Sequence, residues 1–201
     1  MTGSPPNKWD ERYDHERFFY GEKPNYFVAR KLVGLPPGRA LFLAEGEGRN
    51  AVHAAGLGHQ VVAVDSSAVG RRKALQLAAA RGVELEYRLG DVIGGPWAKE
   101  SWDLIVLCFC HLPPADMPVL HAACATALNP GGTLLLNSFS KKQFGRPSGG
   151  PPRREWLHDL DELQGQFPGL EVAATELEVE LDEGPGHRGP AVVLELVGRV
   201  L

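Results

Sequence analysis

From Gly38 onward, short apolar runs alternate with longer amphipathic stretches. Residues 40–44, 61–64, 85–89, 104–108 and 133–139 read as strands, because continuous apolar runs suit strands buried on both faces of a parallel sheet. Residues 49–57, 69–81 and 117–128 read as helices, stopped by Gly58, by Gly82 and by Asn129-Pro130-Gly131-Gly132. Within 69–81, Ala74, Leu75, Ala78 and Ala79 form the expected apolar side, and Arg71-Arg72-Lys73 the solvated one. The tail changes pattern. A helix over 157–167 precedes strand-like runs at 171–181 and 191–200. The turn between them carries Gly184, Gly186 and Gly189, which predicts an antiparallel hairpin. Ahead of the alternation, Asn7 is a cap for a short helix with Trp9 and Tyr13 on one face. Gly21 and Pro24 break the chain, and Asn25 caps a second helix running to Gly34. Alternating strands and helices predict an α/β, Rossmann-like doubly wound sheet of about seven strands with helices on both faces. It is mostly parallel with an antiparallel last strand.

Composition narrows the class. With 201 residues, 43% hydrophobic and 23% charged, the chain suits a single globular domain. The net charge of −4 argues against a general nucleic-acid binder, whose affinity comes from neutralising phosphates. No run suits a signal peptide or a membrane span, so no membrane partner and a cytoplasmic location are expected. Cys108, Cys110 and Cys124 read as reduced thiols. Cys110 adjoins His111, but no second ligand pair follows and no metal is expected. Nothing in the sequence separates a monomer from a weak homodimer.

The candidate chemistry begins where the first strand runs into Ala44-Glu45-Gly46-Glu47-Gly48-Arg49-Asn50-Ala51. Gly46 and Gly48 let backbone approach a ligand, and the next helix offers its free N–H groups. Asp65 ends the second strand, where an acid takes two ribose hydroxyls. That pattern fits NAD as well, since Gly46-x-Gly48-x-x-Ala51 is a permitted dinucleotide variant. Three features lean the other way. Gly90-Asp91 follows the third strand, where a carboxylate can accept from an adenine amino group. Asn129-Pro130-Gly131-Gly132 introduces the fifth, and a strand pair closes the chain, leaving little room for a catalytic domain.

On these residues the sequence resembles the class I S-adenosylmethionine-dependent methyltransferases, and more narrowly the tellurite-resistance (TehB-like) group. The likeness rests on Tyr20-Gly21 with Pro24-Asn25, Glu47-Gly48-Arg49-Asn50-Ala51, Gly58-His59 leading to Ala63-Val64-Asp65, Cys110-His111-Leu112-Pro113 and Leu128-Asn129-Pro130-Gly131-Gly132. Phe167-Pro168-Gly169-Leu170, Glu183-Gly184 and His187-Arg188-Gly189 carry it into the tail. The resemblance implies methyl transfer from S-adenosylmethionine to a small-molecule acceptor. The competing readings are an NAD-dependent oxidoreductase and a noncatalytic nucleotide-binding module.

The resemblance also implies roles. Glu45, Gly46, Gly48 and Asn50 form the cofactor loop, Asp65 with Ser66 meets the ribose, Asp91 and Val92 meet the adenine, and Cys108 borders the methionine end. Tyr20 and Asn25 belong to a cover. Two positions depart from the family: Phe42 stands where an acid is usual, and Glu45 stands where a small residue is usual. Glu45 either compensates for the missing charge or points to solvent. Expected catalytic or acceptor-side residues are His111, His187 and Arg188. One methyltransferase domain over 1–201 then divides into a cover (1–37), a cofactor-binding core (38–139), a mobile basic loop (140–156) and a closing helix and strand pair (157–201). Lys141, Lys142, Arg146 and Arg188 suggest an anionic acceptor.

Overall fold

The apolar runs pair as strands of one sheet in the computed structural model, which describes residues 8–201. Asn7 lies outside the described residues. The strands are β1 (Arg39–Leu43), β2 (Gln60–Asp65), β3 (Glu86–Leu89), β4 (Trp102–Cys108), β5 (Leu128–Phe139), β6 (Leu170–Asp182) and β7 (Arg188–Val200). Their order is β3-β2-β1-β4-β5-β7-β6. Neighbours among β1 to β5 are parallel, and β7 runs antiparallel between β5 and β6.

The helices are α1 (Lys8–Tyr13), α2 (Tyr26–Leu32), α3 (Arg49–Gly56), α4 (Ala68–Arg81), α5 (Met117–Ala127) and α6 (Leu160–Gln164). Alternation along β1 sends Ala40 and Phe42 to one face, in a core with Phe27, Val28 and Leu32 of α2 and Ala51 and Ala54 of α3. Leu41 and Leu43 join the opposite core, with Trp97, Trp102, Leu120, Cys124 and Phe167. Each fully buried Leu or Phe contributes roughly 1.5–3 kcal/mol, so these two layers hold the sheet. Among the described residues no helix is long and apolar enough to cross a membrane.

Local signals set most boundaries. The Asn25 side chain accepts from Val28 N at 3.1 Å and starts α2. Ser67 Oγ accepts from Gly70 N at 2.8 Å and starts α4, which ends at Gly82 with φ 66°. Three expectations are corrected. The buried stripe of α4 is Gly70, Lys73, Ala74, Leu77 and Ala78, while Leu75 and Ala79 are exposed. Lys73 can be buried because its ammonium is fully coordinated there. The helix expected over 157–167 shortens to α6, since Asp159 caps it by accepting from Asp161 N and Gly165 ends it.

The third correction concerns 140–156, which is not structureless. It forms 3-10 turns at Lys141–Gln143 and Arg154–Trp156. Buried Gln143 donates to Ser148 Oγ (2.9 Å) and Gly149 O (3.0 Å) and accepts from Val192 N (2.9 Å). Three of its cations meet carboxylates on the tail: Lys141 with Glu162, Lys142 with Glu176, Arg146 with Glu178. Glu176 and Glu178 share one face of edge strand β6, so the loop is laid across that face.

Candidate active site

Strand order reverses between β1 and β4, and open α/β sheets bind ligands at such a point. Both strands end in a strained residue there: Ala44 with φ 53° and Phe109 with φ 52°. The loop after β1 then passes through Gly46 (φ 60°) and Gly48 (φ 88°) into α3. Asp65 shapes this loop from below. Its Oδ2 accepts from Gly46 N at 2.9 Å and its Oδ1 from Ser67 N at 2.8 Å. Burial raises the Asp65 pKa, and these amides oppose that rise.

The two loop glycines do different work. A Cβ on Gly48 would stand 2.4 Å from the Ala74 Cβ, so Gly48 permits α3 to pack on α4. A Cβ on Gly46 would stand 2.6 Å from the Tyr13 hydroxyl, so the N-terminal segment lies over Gly46. Glu45 does not point to solvent. Its Oε1 accepts from Asn50 N at 2.9 Å and Ala51 N at 2.8 Å, capping α3. Burial lifts its pKa to about 7. Phe42 is sealed in the core beside α2, so that position presents no charge to the crevice. Ser66 is exposed next to Asp65. Asp91 is exposed after β3, with Oδ1 accepting from Ile93 N at 2.9 Å, and Val92 is buried.

A polar cluster joins four distant segments beside this loop. Asn25 donates its amide to Asn137 Oδ1 (2.9 Å) and Glu183 Oε1 (2.8 Å), and its backbone N–H to Asn50 Oδ1 (2.8 Å). Arg49 donates to Tyr20 O (3.0 Å) and to Glu183 Oε2 (2.7 Å). Burial opposes a charge on Glu183, yet His187 and Arg49 hold its pKa down at about 2. Asn137 lies opposite Cys108 in the β4–β5 register. Cys108 is half-buried, and burial pushes its thiol pKa up. A groove of about 890 Å³ runs between the N-terminal segment and the β6–β7 hairpin, with Tyr20, Asn25, Asn137 and Glu183 in its lining.

Asn50, Asn25 and Tyr20 are singled out by the sequence, and the structure brings them into this cluster. Arg49 and Glu183 lay within motifs already singled out, but their pairing is visible only in three dimensions. Asn137 had no signal of its own.

The expected acceptor-side residues separate. Buried His187 packs against Tyr20 and Phe109, each with ring centroids 4.4 Å away, and its Nδ1 lies 3.6 Å from Glu183 Oε2. Burial lowers its pKa, so the ring is neutral at pH 7. Arg188, the first residue of β7, is exposed, while His187 lies in the turn before it. His111 has both nitrogens on backbone: Nδ1 against Trp156 O at 2.9 Å, and Nε2 accepting from Phe139 N at 3.4 Å. Burial takes its pKa to about 4. The cations read as favouring an anion therefore do not converge: three are paired on the tail and Arg188 faces outward.

Comparison with known proteins agrees with this geometry. A family model described as a methyltransferase domain matches residues 40–132. A comparison with curated proteins found no match. Among solved structures, TehB from Haemophilus influenzae is 21% identical with a TM-score of 0.71, over 87% of this chain and 61% of that one. The chain thus spans less than two thirds of TehB's length. A structure described for the conversion of a disulfide bond into a thioacetal group during echinomycin biosynthesis is 22% identical with a TM-score of 0.73. It covers 94% of this chain and 86% of that one. The N-methyltransferase NodS from Bradyrhizobium japonicum, solved with S-adenosylhomocysteine, is 14% identical with a TM-score of 0.70, over 96% of each chain. Residues 40–132 thus match a methyltransferase-domain model, and the chain shares the fold of these solved S-adenosylmethionine-dependent methyltransferases.

Proposed function

We propose that the protein transfers the methyl group of S-adenosylmethionine to a small-molecule acceptor, giving S-adenosylhomocysteine. The observation that carries this reading is the crevice at the ends of β1 and β4. There Gly46 N is bonded to Asp65, and Tyr13 stands over Gly46. In this reading Asp65 and Ser66 hold the ribose, Asp91 and Val92 the adenine, and the loop from Glu45 to Asn50 the methionine end. Residues 1–37 form the cover. The proposal includes a cytoplasmic enzyme acting as a monomer or weak homodimer.

A sulfonium supplies an already activated methyl group, so the chain mainly has to position the acceptor and exclude water. Tyr20, Phe109 and Phe139 wall the acceptor side around His187. An acceptor X–H attacks the methyl carbon, the carbon–sulfur bond breaks, and the electron pair stays on sulfur. His187 takes the proton, with Glu183 facing its Nδ1 as the orienting anion. The pairing of Lys141, Lys142 and Arg146 with the tail favours a neutral acceptor over an anionic one.

The test is calorimetric titration with S-adenosylmethionine, S-adenosylhomocysteine and NAD, then turnover across neutral thiols, phenols, carboxylates and oxyanions. Binding of NAD alone overturns the reading. Cofactor binding without turnover on any acceptor makes the protein a binding module.

A further inference from the structure

Lys73 breaks the pattern of its helix. Arg71 and Arg72 just before it are exposed, whereas Lys73 is only 4% exposed. Its ammonium donates to three alternate carbonyls of the N-terminal segment: Tyr13 O (3.2 Å), His15 O (2.9 Å) and Arg17 O (2.8 Å). It also meets Glu47 Oε1 at 2.5 Å. Glu47 uses its other oxygen to accept from Phe19 N (2.7 Å) and Tyr20 N (3.3 Å). One buried ion pair therefore grips five backbone groups of residues 13–20.

Those residues cover the crevice. Tyr13 stands over Gly46, and Tyr20 lies against His187. Other ties join the same segment: Arg49 donates to Tyr20 O, Phe18 packs against Val52, Leu77 and Ala78, and Asp14 lies 3.7 Å from Arg72. Asp10 accepts from Ser67 Oγ and Val69 N, and Phe19 O accepts from Gly186 N. Between them the backbone from Tyr13 to Arg17 has Lys73 as its shared donor. Tyr13 over Gly46 stands in the way of a ligand reaching that loop.

We propose that Lys73, with Glu47, is a positioning residue: a latch that holds residues 13–20 closed over the cofactor crevice and sets the rate at which the cofactor product leaves. The exchange-rate part rests on the cofactor reading above. The latch itself does not, since it concerns the segment in the ligand-free protein. Burial makes the latch effective. In low dielectric an unpartnered ammonium is costly, so the bonds to Lys73 are kept together or released together.

The test uses the full chain with Lys73→Met and Glu47→Gln. Glu47→Gln keeps the side-chain shape and serves if Lys73→Met does not fold. Amide hydrogen exchange of the ligand-free proteins is followed at residues 13–20 and in the central strands β4 and β5. Stopped-flow fluorescence of Trp9 then follows dissociation of S-adenosylhomocysteine. Exchange at 13–20 should rise at least about tenfold while β4 and β5 stay unchanged, and product dissociation should accelerate by a similar factor. Wild-type exchange at 13–20 in a folded variant overturns the latch. An unchanged dissociation rate with faster exchange overturns its control of product release. If the wild-type protein binds neither S-adenosylmethionine nor S-adenosylhomocysteine, the cofactor reading falls, and the exchange measurement still decides the latch.

Discussion

Glu183 Oε2 lies 3.6 Å from His187 Nδ1 and 2.7 Å from an Arg49 guanidinium nitrogen, so one buried carboxylate faces both a neutral ring and a fixed cation. This arrangement makes the roles of His187 and Glu183 separable. His187→Ala should lower kcat by roughly 10²-fold or more, with little change in calorimetric affinity for S-adenosylmethionine. Glu183→Gln should lower kcat less and also reduce stability by a few kcal/mol, about the 3–5 kcal/mol seen when a buried pair loses one partner. Unchanged kcat in His187→Ala would remove the base from the mechanism.

His111 belongs to the scaffold in this structure, because it ties the end of β5 to the Arg154–Trp156 turn. His111→Ala should therefore lower kcat by no more than about tenfold while costing roughly 1–3 kcal/mol of stability for the two abandoned backbone groups. Steady-state kinetics beside urea unfolding checks this. Near-total loss of turnover with unchanged unfolding would restore His111 to the chemistry.

Asp65 has two duties, and Asp65→Asn separates them. The loop loses a charge-assisted bond from Gly46 N or Ser67 N, and the ribose loses an anionic acceptor. Affinity for S-adenosylmethionine should fall by about 1.5–3 kcal/mol, more than tenfold, in a protein that still folds. Full affinity in a folded Asp65→Asn protein would exclude a ribose contact.

Stability should rise with pH between about 4 and 6.5. Burial lowers His111 and His121 to about 4 and His158 further below its usual value. In that window the unfolded chain holds protons that the folded one does not, so each ring adds stability above pH 6.5 that is lost as pH falls. Glu45 works in the opposite sense, since burial raises it to about 7 and its protonated form favours folding below that pH. Asp65 is also raised by burial, but His111, His121, His158 and His187 are all lowered, so four rings outweigh two carboxyls and the net slope is positive. His121 is fully buried, and its shift corresponds to about 3 kcal/mol. His121→Phe should flatten the dependence of Tm on pH, read by calorimetry at pH 4.5, 5.5 and 6.5. An unchanged slope would mean that His121 does not titrate between the two states.

The order of elements, the strands β1, β2 and β4, the loop through Gly46 and Gly48 and the acid at Asp65 were all legible in the chain. Each depends on side chains within one element or its adjoining turn, and periodicity reports which residues face inward. Tertiary structure decided the partners. Lys73 reads as surface because its neighbours Arg71 and Arg72 are charged, and only the carbonyls of Tyr13, His15 and Arg17 arriving from 56 to 60 positions away make its burial possible. Arg188 reads as a site residue beside His187, yet His187 is buried in the turn before β7 while Arg188, which opens β7 opposite Asp182, is exposed. The same holds for Glu45, where a buried acid became a helix cap, and for Lys141, Lys142 and Arg146, which found carboxylates on β6 and α6. A charged residue's role is fixed by what reaches it across the fold, because desolvation is tolerated only where a partner waits.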